Sequence, residues 1–119
     1  MPQTLADIFG QSVTSDGDTV TINLADFKDD SGNQILDKPN EATDSQKIAA
    51  IAAGMVNNAK PQKDADGQDV IDKTSVIVAE ESFSPKTFEV RQDEAQVKHE
   101  FIFSIYTIDS TKFDPDNAV

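Results

Sequence analysis

The sequence predicts an α+β fold, a predominantly antiparallel sheet with one amphipathic helix packed on it. Three observations lead there. Isoleucine and valine together number 19 against three leucines, and β-branched side chains suit a pleated surface better than a helix. Several short segments alternate apolar with polar residues around turn signals, the period of half-buried strands. One stretch alone, residues 44–59, switches to helical spacing. Leu, Ile, Val and Phe make up 29 of the 119 residues, about 24%, which is above the ~20% below which a highly charged chain stays disordered. A small core can form. The length suits a single small domain, 1–119, with 110–119 expected to fray as a tail.

The elements follow in order. Val13 to Val20 reads as a hairpin turning at Asp16-Gly17, because Asp-Gly supplies the positive φ angles of a type I′ turn. That register sets Val13 opposite Val20 and puts Val20, Ile22 and Leu24 on one face. Asp29-Asp30-Ser31-Gly32-Asn33 is a second turn, with Ile35-Leu36 as a short apolar return ended by Pro39. A helix over 44–59 is capped by Thr43 or Asp44, with Gln46 in capping-box position. Its predicted buried stripe is Ile48, Ile51, Ala52, Met55, Val56 and Ala59. The opposite face carries Lys47, Ala50, Ala53, Gly54 and Asn57; it reads as a helix back partly covered by the chain's own sheet, or as a docking surface for another helix. Gly54 costs about 1 kcal/mol of helix propensity relative to alanine, so this helix depends on tertiary packing.

Residues 60–73 form a polar connection centred on Asp66-Gly67. Strands resume at Ser75–Ala79 and Thr87–Arg91. A turn at Asp93-Glu94 would set Val90 opposite Val97 and Phe88 opposite His99. Val97–Ile108 is the longest strand candidate, and its two apolar faces predict an interior strand covered on both sides. No internal repeat at solenoid periods and no low-complexity tract is read from the sequence.

Charge and composition exclude several classes. The chain carries 22 acids against 10 Lys plus Arg, a net charge of -12, spread as -5 over residues 1–60 and -7 over 61–119. One arginine, Arg91, leaves little to neutralise phosphates, so nucleic acid is not an expected partner. The longest apolar run, Ile48–Val56, is far short of the ~20 residues that cross a membrane. Met1-Pro2-Gln3-Thr4 has neither a basic nor an apolar leader segment, and without cysteine there is no disulfide framework. Cytoplasmic residence is the expectation, and a virion or processed protein would have the same composition.

The candidate chemistry is sparse. Aligning an EF-hand loop on Gly67 puts Asp64 and Asp66 at positions 3 and 5 but Gln62 and Lys73 at the ends; aligning it on Gly17 puts Ser12 and Asn23 there. Both loops therefore read as turns. His99, the single histidine, has no Gly-x-Ser-x-Gly elbow to serve and shares a strand face with Val97, Phe101 and Phe103, so it reads as an edge residue. One histidine without cysteine makes a poor zinc set. Glu80-Glu81 could serve a glycosidase only with a partner acid from another element, since adjacent strand residues face opposite ways. No phosphate-cradling glycine motif occurs, and no cofactor, catalytic residue or metal ligand is assigned.

Ala6-Asp7-Ile8-Phe9-Gly10, the segment Thr21-Ile22-Asn23-Leu24-Ala25-Asp26-Phe27, the alanine-rich helix and Phe113-Asp114-Pro115-Asp116 together resemble uncharacterised small acidic proteins of cyanobacteria. The resemblance implies a cellular origin and carries no functional residue. From the residues themselves, the expected function is a non-catalytic structural or protein–protein interaction module, a homo-oligomer or a component of a larger assembly. The alternative is a small-molecule or calcium-binding domain, or a small hydrolase using scattered carboxylates.

Overall fold

A computed structural model of the chain describes residues 3–70, 72–80, 86–108 and 113–119. Among these described residues, one main helix and six short strands give the α+β fold. The strands form three separate two-stranded antiparallel ladders.

The chain opens with a helix that the strand signals did not foretell, α1 (Leu5–Phe9). Its N-terminus is closed by a capping box in which Thr4 Oγ1 accepts from the Asp7 N–H and Asp7 accepts from the Thr4 N–H. The first hairpin, β1 (Thr14–Asp16) with β2 (Thr19–Thr21), forms where expected but turns one residue later. Gly17-Asp18 is the turn pair, and only Gly17 takes a positive φ. A single left-handed residue at the first turn position suits a Gly-first turn, whereas Asp16-Gly17 would require two. Val20 consequently faces Ser15 rather than Val13.

The main helix, α2 (Asp44–Ala59), has the predicted boundaries and the predicted Thr43–Gln46 capping box. Its buried side matches the predicted stripe only in part: Val56 and Ala59 belong to it, with Ile51 and Met55 half-buried, whereas Ala50 and Gly54 come from the face predicted to lie opposite. Ala50, Gly54, Val56 and Ala59 are buried, while Ile48 is 69% exposed. The reason is Phe27, which is wholly buried and lies directly on Gly54. A Cβ at position 54 would sit 2.7 Å from Phe27 Cγ and closer still to Cδ1, so this helix must present its smallest residues to the chain. The alanine-rich back is thus covered by the protein's own residues. Val56 and Ala59 complete a small core with Ile8 and Ala79, flanked by Phe9, Met55 and Ile77.

The 12-residue strand candidate Val97–Ile108 divides at Glu100-Phe101. Its first part belongs to β5 (Glu94–His99), which pairs with β4 (Lys86–Arg91); its second is β6 (Ile102–Ile105), which pairs with β3 (Ile77–Glu80). Rather than being covered on both faces, Phe103 and Ile105 stay 37% and 51% exposed, because α2 packs over β3 and leaves β6 at the margin. In the β4–β5 hairpin the turn pair is Gln92-Asp93, both with positive φ, so Phe88 lies opposite Val97 and Lys86 opposite His99. Of the expected tail, residues 113–119 carry a 3-10 turn at Pro115–Asn117 and an antiparallel bridge from Ala118 to Thr107.

A short recurrence also emerges, against the expectation of none. Lys28–Lys38 and Lys63–Lys73 lie 35 residues apart and share Lys, Asp, Gly, Asp and Lys at five of eleven positions. The two loops fold alike. Asp29 and Asp64 each accept two backbone N–H bonds on Oδ1, from Ser31 and Asn33 and from Asp66 and Gln68. Gly32 and Gly67 then take φ of 84° and 78°, closing a type I turn with a bulge. The bridges Lys28↔Gln34 and Lys63↔Asp69 follow. This loop pair brackets α2, and Asn57 Nδ2 ties the first of them to the helix through the Lys28 and Asp29 carbonyls.

Candidate interaction surface

The sequence-predicted chemical residues are kept apart by the fold. His99 ends β5, exposed, opposite Lys86. Glu80 closes β3 and accepts a hydrogen bond from the Ser104 hydroxyl at 3.1 Å; Glu81 lies outside the described residues. Asp64 is engaged by its own loop, and no group of three or more His, Cys, Asp or Glu side chains among the described residues could hold a metal ion. The Asp72 carboxyl is held below its ordinary value by the Thr74 hydroxyl and then by the Thr74 backbone N–H, a fully exposed turn cap rather than a reacting group.

What the structure does assemble is an apolar surface. Because opposite residues of an antiparallel ladder share a face, Phe88 and Val90 of β4 stand with Ala95 and Val97 of β5 on one side of the ribbon. The other side holds Thr87, Glu89, Gln96 and Lys98, with Lys98 paired to Glu89 at 3.3 Å and to Glu100 at 3.8 Å. Burial runs opposite to polarity. Thr87 and Gln96 are partly buried, yet Phe88 is 83% exposed and Val90 73%. The ribbon thus turns its apolar face outward, and β4 and β5 pack mainly on each other rather than on the core.

Nothing in this surface resembles a reaction site. A shallow concavity at the ribbon's turn is lined by Arg91, Gln92, Glu94 and Gln96, without an apolar wall or a convergent acid pair. Alternation in Thr87–Arg91 was visible in the sequence, but alternation alone does not say which face of a strand meets the core. Phe88 and Val97 were therefore legible as neighbours on one face and illegible as surface.

No family model, no curated protein and no solved structure matches the chain. Among the described residues, no helix is long and apolar enough to cross a membrane.

Proposed function

We propose that the protein is a non-catalytic structural or protein-interaction module that acts as a component of a larger protein assembly. The observation carrying this reading is the outward apolar face of the β4–β5 ribbon. Isolated two-stranded ribbons are marginal in water, and exposed contiguous apolar patches mark protein contacts. Surface area supports it. Folded monomers of 12.9 kDa expose about 6300 Å², whereas this chain exposes 9241 Å². The excess of about 2900 Å² is larger than the roughly 800 Å² per side that a standard interface buries, so the chain has surface to spare for one.

The test compares proteins retained by the wild-type chain with those retained by a Phe88→Glu/Val90→Glu double variant. The reading expects retention by the first and its loss in the second, with melting temperature nearly unchanged because both side chains are already exposed. Equal retention by both would remove this surface from the function. Cytoplasmic residence fits this proposal and is tested by where the native protein fractionates.

A further inference from the structure

The ribbon is balanced in charge within an acidic molecule. Residues 86–99 hold Lys86, Arg91 and Lys98 against Glu89, Asp93 and Glu94, so the ribbon is neutral while the remainder carries the whole net charge of -12. Two copies meeting ribbon to ribbon would bring neutral surfaces together in a molecule that is acidic overall. The face is also self-complementary. A two-fold axis along the strands lays Phe88 of each copy over Val97 of the other, and Val90 over Ala95, so large side chains meet smaller ones. Lys86 and His99 fall at the rim, where their polar ends stay in water.

We propose that the outward face of the β4–β5 ribbon docks on the same face of a second copy of this chain. This rests on the interaction reading above and names its occupant. Stacking the two ribbons makes a four-stranded sandwich that shields Phe88 and Val90, replacing the missing core of each hairpin. The acidic bodies still repel across the axis, so association strengthens with salt. A basic partner protein would instead be bound more weakly as salt rises.

Sedimentation of the full chain over a concentration series, in about 0.1 M and about 0.5 M sodium chloride, reads this directly. The expected result is a monomer–dimer equilibrium that tightens with salt, lost in Phe88→Glu and kept in Gln96→Lys on the opposite face. A second measurement guards against misfolded variants and tests the register. Phe88→Glu and Val97→Lys, each monomeric alone, should form a heterodimer when mixed, since one contact becomes an acid–base pair and the other stays native. A dimer that survives Phe88→Glu with unchanged affinity overturns the inference, since the copies then meet through another surface. A wild-type chain that stays monomeric at every concentration overturns the inference alone, provided it still retains a different protein through Phe88 and Val90.

Discussion

At the scale of single residues, the contact between Phe27 and Gly54 decides how the helix sits. A methyl at position 54 adds helix propensity, about 1 kcal/mol, but must displace a fully buried ring. Overpacking of this kind costs roughly 1–3 kcal/mol, so Gly54→Ala is expected to lower stability in urea denaturation despite improving the helix. Removing the ring is worse: Phe27→Ala should cost about 3–5 kcal/mol. Ile48→Gln should change stability by no more than about 0.5 kcal/mol, since Ile48 lies on the exposed side. These three variants distinguish the observed orientation of α2 from one that buries Ile48. Helical periodicity permits both, because Ile48 and Ala50 each begin a run of small or apolar residues. Only the position of Phe27, distant in sequence, selects between them.

At the scale of elements, legibility followed local chemistry. The boundaries of α2 were readable because Thr43 and Gln46 form a capping box, a signal contained within four residues. Both hairpins were readable in existence but not in register. Gln92 with a positive φ has no sequence signal, and Gly17 serves equally as the first or second turn residue until pairing is known. The break at Glu100-Phe101 was hidden because apolar residues continue on both sides of it. The recurrent Asp loops escaped notice because only Lys, Asp, Gly, Asp and Lys repeat exactly. Their shared geometry yields two predictions. Asp29→Ala should destabilise more than Asp64→Ala in paired denaturant titrations, since the first loop is tied to α2 through Asn57 and through the Lys60–Asp30 ion pair at 2.9 Å. Calcium at millimolar concentration should raise the melting temperature no more than magnesium does, because each Asp Oδ1 already accepts two backbone bonds. A saturable calcium-specific shift would contradict that.

At the scale of the whole molecule, a small core meets a large surface. The radius of gyration is 16.3 Å, against about 13.5 Å for a typical folded chain of this length. The core around Ile8, Val56, Ala59 and Ala79 anchors α1, α2 and β3, while the β4–β5 ribbon lies outside it. The exposure of this ribbon was not legible in the sequence, where Phe88 and Val90 alternate along one strand face and Val97 falls in a strand expected to be interior. A sequence assigns hydrophobic faces and leaves open whether the covering chain is its own or another. The sharpest discrimination comes from amide hydrogen exchange of residues 86–99 at protein concentrations above and below the association midpoint. A ribbon covered by a second copy should be protected at high concentration and exchange freely on dilution, while the α2 amides keep the same protection throughout. Ribbon protection that is strong and independent of concentration would mean that the chain covers Phe88 and Val90 by itself, and would contradict the account.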